Sequence, residues 1–170
     1  MTLGIYIHIP FCVKKCPYCD FTSFTPETLP EDQYIKALIR EIAVRRKAEV
    51  EEEVKVETVY FGGGTPSLLS PDSVKNLLIA ISKEFTLKEP EITIEVNPGT
   101  VDIDKLKGFR DAGVNRLSLG IQSLNDRLLS ALGRIHNRKE AIDAYESARK
   151  AGFDNIGIDL IHSVPGESLP

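Results

Sequence analysis

Five short apolar runs divide the chain, and each of the first four is followed by a stretch with apolar residues at helical spacing. "LGIYIHIP" (3–10) carries β-branched residues and closes on a proline, which predicts a buried strand. In "LPEDQYIKALIREIAVRRKAEV", Tyr34, Ile35, Leu38, Ile39 and Ile42 share one helical face. That helix ends in a basic run, Arg45 to Lys47, and an acidic run, Glu49 to Glu53, both read as a solvated helix end and linker. "VKVETVYF" (54–61) predicts a second strand, ending at Gly62-Gly63-Gly64. "SPDSVKNLLIAISKEF" predicts a helix with Ser70 as N-cap and Pro71 in its first position. "EITIEV" (91–96) is the third strand and runs into Asn97-Pro98-Gly99. "DIDKLKGFRDAG" is a helix stopped by Gly113. "NRLSLGIQS" is a strand ending near Gln122, followed by a short helical turn near Asp126 to Leu132. "NRKEAIDAYESARKAG" is a helix between Asn137 and Gly152, and "DNIGIDLI" is the fifth strand.

Strand-helix alternation of this kind predicts a parallel sheet with helices outside it. A doubly wound sheet and a barrel both fit the pattern, and in either one the site lies at the C-terminal edge of the strands. The unusual residues fall there. The cysteines follow strand one and "GGGTPS" follows strand two. Glu95 and Asn97 end strand three, Gln122 ends strand four with Arg134 a little beyond, and Asp159 and His162 end strand five. One site built from all five rims is the economical reading. Taken singly, each residue has a plainer one. The triple glycine is a turn needing positive φ, although its N–H groups, between strand and helix, also suit an anion. Glu95, Gln122 and Asp159 are structural hydrogen-bonders as readily as ligands. His8 reads as a packed core histidine, and Arg134 and His136, on a loop, as solvated.

Composition narrows the field. The chain has 170 residues and a net charge of −4, which argues against a nucleic-acid partner held by bulk electrostatics. A chain this long buries roughly 70% of its unfolded surface, enough for one domain with a core. No apolar run approaches the roughly 18 residues of a membrane span. "MTLGIYIHIPF" lacks a basic n-region and a cleavage site, so the cytoplasm is the default compartment. All three cysteines sit in "CVKKCPYCD" as C-x3-C-x2-C, at Cys12, Cys16 and Cys19. An odd number makes a poor disulfide framework and points to metal or to chemistry. A structural zinc takes four protein ligands, whereas an iron–sulfur cubane on three thiolates keeps one iron open for reaction.

The cysteine triplet, with Tyr18 before its last member, resembles the signature of radical S-adenosylmethionine (SAM) enzymes. "IYIHIPFCVKKCPYCDF", "YFGGGTPSLL", "EVNPGT", "RLSLGIQS", "LGRIHN" and "IGIDLI" resemble, in order, the coproporphyrinogen-dehydrogenase-like branch, which includes the HemW-type heme chaperones. The resemblance implies an α/β fold, a partial (β/α)6 TIM-like barrel of the radical SAM type with about five βα units present. It implies a [4Fe–4S] cluster on Cys12, Cys16 and Cys19, whose open iron chelates the amino and carboxylate groups of S-adenosylmethionine. An electron from the cluster then cleaves the sulfonium C–S bond to release a 5′-deoxyadenosyl radical. Carried over residue by residue, Tyr6 and Tyr18 would contact this cofactor beside the cluster. Gly63, Gly64 and Thr65 would line its methionine end, and Glu95 would bind it as well. Gln122, Arg134 and Asp159 would serve the cofactor region. A carboxylate suits Arg134, a ribose diol suits Asp159 or Gln122, and an ammonium suits Glu95 or the carbonyls of the glycine turn.

Within the branch, decarboxylating members carry a fourth cysteine two places after the third, where this chain has Phe21, and an extension before strand one. Both features favour a heme chaperone that binds heme and passes it to a client protein, with an electron donor serving the cluster. An oxygen-independent coproporphyrinogen III oxidase, acting on a porphyrinogen, is the alternative, and a zinc-binding structural module is a third reading. After strand five the branch reads aromatic-glycine-leucine-proline-glycine, where this chain has His162, Ser163, Val164, Pro165 and Gly166. The family's sixth strand, C-terminal domain and heme ligands would lie beyond residue 170. Residues 1–170 are therefore expected to be a radical SAM core domain incomplete at its C-terminal end, a fragment or split gene product. Recovery as a stable soluble monomer with a single sharp unfolding transition would count against that expectation.

Overall fold

The computed structural model describes residues 2–48 and 54–167. The acidic run Glu49 to Glu53 lies outside the described residues. Among the described residues, strands β1 (Thr2–Ile9), β2 (Lys55–Gly63), β3 (Thr86–Val96), β4 (Arg116–Gln122) and β5 (Asn155–Leu160) alternate with helices. The helices are α1 (Glu31–Ala48), α2 (Pro71–Glu84), α3 (Ile103–Ala112), α4 (Asp126–Ala131) and α5 (Arg138–Lys150). Every strand pairs in parallel with the next, in the order β1-β2-β3-β4-β5. A doubly wound sheet reverses its strand order at a switch point; this one does not. With right-handed crossovers, an order that never reverses puts all helices on one face. The result is an open sheet wound in the sense of a barrel, a partial TIM-like barrel.

Side-chain alternation divides the sheet's two faces. Ile7 and Ile9, Val59 and Phe61, Ile92 and Ile94, and Leu117 and Leu119 are buried on the helix side. They pack with Leu77 and Ile81 of α2 and with Leu106 and Phe109 of α3. Each such side chain is worth about 2 kcal/mol of burial. The alternate positions carry Tyr6, His8, Tyr60, Glu95, Ser118 and Asp159, so the inner face is polar. A complete TIM barrel fills this face with bulky apolar residues; here it is left for polar work. On β5 the outward Ile158 and Leu160 are 47% and 63% exposed.

Helix termini follow the predicted caps. Ser70 Oγ accepts from Ser73 N at 3.2 Å, and Asn137 and Glu140 form a capping box at α5. Gly113 ends α3 at φ +114°. The third strand differs from expectation: it begins at Thr86, five residues before "EITIEV". Lys55 and Val56 pair with Thr86 and Leu87, and the register then jumps to Thr58 opposite Glu91. A bulge with Glu89 at φ +47° absorbs the difference. Glu89 and Pro90 interrupt the apolar pattern there, so only pairing with β2 makes that part a strand.

Helix α3 crosses α2 where Gly108 faces Pro71. A Cβ on Gly108 would stand 2.6 Å from Pro71 Cγ. Gly108→Ala should therefore destabilise by about 1 kcal/mol net, overpacking outweighing the gain in helix propensity. A lower urea midpoint with an unchanged slope is the expected result.

Candidate functional site

The cysteine loop leaves β1 and is closed at its base. Cys12 N donates to Phe24 O at 3.0 Å and Phe24 N to Pro10 O at 2.9 Å. The Phe11 ring lies edge-on to Phe24 and Tyr34, at 5.4 and 4.9 Å between centroids. His8, expected as a packed core histidine, instead sits half-exposed on the polar inner face. Its Nε2 is 2.8 Å from Thr22 O, so it ties the outgoing limb of the loop to β1. The base is rigid, and the three thiols, all free and half-buried, stand on the segment between.

The glycine turn after β2 is strapped to this loop. Gly64 N donates to Ile9 O and Thr65 N to Phe11 O, both at 2.7 Å. Of the three glycines only Gly63 needs positive φ, at +115°. Gly64 is there for close approach: a Cβ would lie 2.7 Å from Phe11 O and 3.0 Å from Cys12 Sγ. Thr65 Oγ1 donates to Cys12 Sγ at 3.6 Å.

Glu95, at the end of β3, takes a hydrogen bond on each oxygen. Tyr60 Oη donates to Oε1 at 2.9 Å and Gly63 N to Oε2 at 3.1 Å. Burial nevertheless pushes its carboxyl above the usual range, with the Tyr60 and Gly63 bonds opposing and Asp159 adding repulsion. The Tyr60 hydroxyl is raised in turn, first by burial and then by its bond to Glu95. Asp159 Oδ2, on β5, accepts from Ser118 Oγ of β4 at 2.9 Å. Arg134 reaches back over the site. Its Nη2 donates to Gly120 O at 2.7 Å, and its Nη1 lies 3.3 Å from Tyr18 Oη and 3.8 Å from Cys16 Sγ. Arg134 Nε is buried with no partner. An orphaned guanidinium N–H beside a thiol marks a place for a further acceptor.

One cavity takes a wall from every strand end: Cys12, Cys16, Tyr18 and Cys19 after β1, and Gly63, Gly64 and Thr65 after β2. Glu95 follows from β3, Gln122 and Arg134 from β4, and Asp159 from β5. Tyr6 is outside it. It is 57% exposed, stacks on Tyr60 at 6.0 Å, and lines an adjoining pocket with His8, Phe21 and Glu95. His162 does not line the cavity and faces solvent with Ser163, whose φ of +61° falls where the family's pattern has glycine. Arg134 and His136 are not solvated: Arg134 is half-buried and His136 is 4% exposed. Burial, and then the Arg134 charge, hold His136 below the usual imidazole range.

Tyr60 and Ser118 were not singled out from sequence, and His136 was read only as a solvated loop residue. Tyr60 and Ser118 each stand two residues before a glycine, on the strand face shared with Glu95 and Asp159. Polar residues at alternate positions of otherwise apolar strands were the available signal. Among the described residues, no three His, Cys, Asp or Glu side chains converge on a single-ion site. All three thiols line the one cavity, as a cluster held by three thiolates requires.

Such a fold and site define a one-sided β/α half-barrel with a thiol loop on its C-terminal rim. The family model described as the radical SAM superfamily matches residues 6–169, and the chain belongs to that superfamily. It is 43% identical over 171 residues to heme chaperone HemW of Haemophilus influenzae, covering 98% of this chain and 45% of that protein. It is 41% identical over 169 residues to heme chaperone HemW of Escherichia coli, covering 98% and 44%. The chain thus spans less than half the length of these relatives. The solved structure of coproporphyrinogen III oxidase (HemN) from Escherichia coli, a radical SAM enzyme, superposes with a TM-score of 0.87. It is 32% identical, and the match covers 97% of this chain and 38% of that one.

Tyr60→Phe removes a bond that favours the carboxylate, so the Glu95 pKa should rise further, as a carboxyl NMR titration would read. Because the fold raises this pKa, the carboxyl's favourable contribution is complete below the unfolded glutamate pKa of about 4.3. It is lost as pH climbs through the folded value. Relative to Glu95→Gln, the wild-type protein without cofactors should lose stability over that window.

Proposed function

We propose that this chain carries the cofactor-binding core of a radical SAM heme chaperone. The core would bind a [4Fe–4S] cluster and S-adenosylmethionine, and the whole protein would take up heme and pass it to a client protein. The observation that carries the reading is the single cavity where the three thiols meet polar groups from all five strand ends. Heme as cargo follows the HemW relatives, and Phe21 at the position of a decarboxylase's fourth cysteine points the same way. The cytoplasm is the proposed compartment, with a one-electron donor as a second partner. No helix among the described residues is long and apolar enough to cross a membrane.

The residues present fit both cofactors. Cys12, Cys16 and Cys19 would hold the cluster, with the Thr65 hydroxyl and the Arg134 guanidinium as donors beside Cys12 and Cys16. When bound, the cluster supplies the electron that reductively cleaves S-adenosylmethionine. Glu95, held by Tyr60 and the Gly63 N–H, would take the cofactor's ammonium. Arg134, with a spare N–H, would take its carboxylate, and Asp159 or Gln122 the ribose hydroxyls. Tyr6 would close the site from the adjoining pocket, and Tyr18 would stand against the cofactor beside Arg134. A half-buried carboxylate and guanidinium of this kind bind a zwitterion with charge-assisted bonds of roughly twice ordinary strength.

The likeness to coproporphyrinogen III oxidase favours a second reading, oxidative decarboxylation of a porphyrinogen. Anaerobic reconstitution with iron and sulfide separates the readings. The reduced protein should show a [4Fe–4S]⁺ EPR signal that changes on adding S-adenosylmethionine. Cys12→Ser, Cys16→Ser and Cys19→Ser should each abolish it. The whole protein should bind heme and return coproporphyrinogen unchanged. Decarboxylated product would establish the oxidase instead, and zinc as the sole bound metal would overturn both readings.

A further inference from the structure

Gln122 sits at φ +68°, a left-handed conformation that glutamine seldom adopts. Across it, Ser123 N donates to Ile121 O at 2.8 Å. A three-residue hydrogen bond around a residue of positive φ is the rare, strained form of γ-turn. Strain of this sort persists only where the surroundings over-determine it. The turn coincides with a register shift between Gly120 and Gln122 in the β4–β5 pairing, and Ile161 N donates to Gln122 O at 3.0 Å.

The loop 133–136 supplies the rest. Arg134 Nη2 holds Gly120 O, and two residues on, buried His136 places Nε2 3.1 Å from Ile121 O. This is the carbonyl that closes the turn. A carbonyl only accepts, so Nε2 carries the proton. With the proton on Nε2 the neutral ring has none on Nδ1, so Nδ1, 3.3 Å from an Asn97 Oδ1 that accepts from Gly99 N at 3.3 Å, makes a packing contact there and not a hydrogen bond. Next to His136, Ile135 packs over Gly99, where a Cβ would stand 3.1 Å from Ile135 Cγ1. The ring thus packs against the β3 end and donates to the β4 end.

We infer that His136 is a positioning residue whose Nε2–H, by holding the Ile121 carbonyl, keeps the Gln122 turn in the form that presents the Gln122 side chain to the cavity. The consequence for ligand binding rests on the reading of that cavity as the S-adenosylmethionine site. His136 does not line the cavity itself, and of the lining residues its ring lies against Asn97; it acts on Gln122 through the backbone of the turn.

Two near-isosteric variants discriminate. Glutamine places its amide N–H where Nε2 lies and keeps the donor, whereas asparagine places its amide near Nδ1 and loses it. The S-adenosylmethionine dissociation constant is read on cluster-loaded protein of matched iron content. It should stay within about threefold of wild type in His136→Gln and rise about tenfold in His136→Asn, as the competent turn becomes a minor state. Amide hydrogen exchange at Ser123, measured without any cofactor, should quicken in His136→Asn and not in His136→Gln. On a Gln122→Gly background, where positive φ carries no strain, His136→Asn should leave that exchange nearly unchanged. Equal effects of the two variants, or unaltered Ser123 exchange in His136→Asn, would overturn the inference. Wild-type protein that holds the cluster but binds no S-adenosylmethionine would sink the functional reading instead, and the Ser123 exchange would still decide the role of His136.

Discussion

Two backbone hydrogen bonds, Gly64 N to Ile9 O and Thr65 N to Phe11 O, strap the glycine turn to the root of the cysteine loop. The site depends on this contact. It brings the Thr65 hydroxyl to Cys12, and it leaves the Gly63 N–H aimed at Glu95 on the next strand. Through Glu95 it reaches Tyr60, and through Tyr60 the exposed ring of Tyr6. Any side chain at Gly64 would have to displace either the Phe11 carbonyl or the Cys12 sulfur. The second anchor is Arg134, which joins Tyr18 and Cys16 to the Gly120 carbonyl. The thiols are therefore referenced to β2 on one side and to β4 on the other.

Most of the fold is legible in the sequence because each strand is apolar on the face that the helices cover. Runs such as "VYF" and "RLSLGI" are buried where expected, and caps at Ser70 and Asn137 fall as predicted. The first half of β3 is not legible, since Glu89 and Pro90 break the pattern and pairing alone makes the strand. Barrel winding was not decidable from periodicity either; it appears only in the strand order. In the site, residues at strand ends were found because polar groups are conspicuous where apolar runs stop. Tyr60 and Ser118, inside strands, were concealed by apolar neighbours. His8 and His136 were misjudged for a related reason. Burial is set by what packs over a residue, and for both that cover comes from distant segments, the Thr22 carbonyl for one and the Asn97 turn for the other.

The polar inner face has an energetic logic. A parallel sheet covered by helices on one side only keeps its other face for function, and the groups placed there are strained by partial burial. Glu95 is held above its normal range and Arg134 keeps an unmet N–H. Such features cost stability in the unliganded protein and are relieved when a complementary charge enters, which is how binding energy is drawn from a preformed site.

The cysteine loop is rigid at its base and open at its tip, and its thiols number three. In air, cysteines so close in sequence are oxidised in pairs. One disulfide within the loop would leave one of its three sulfurs over. The leftover thiol would be open to coupling with another molecule, so oxygen would turn the loop into a covalent link between two chains.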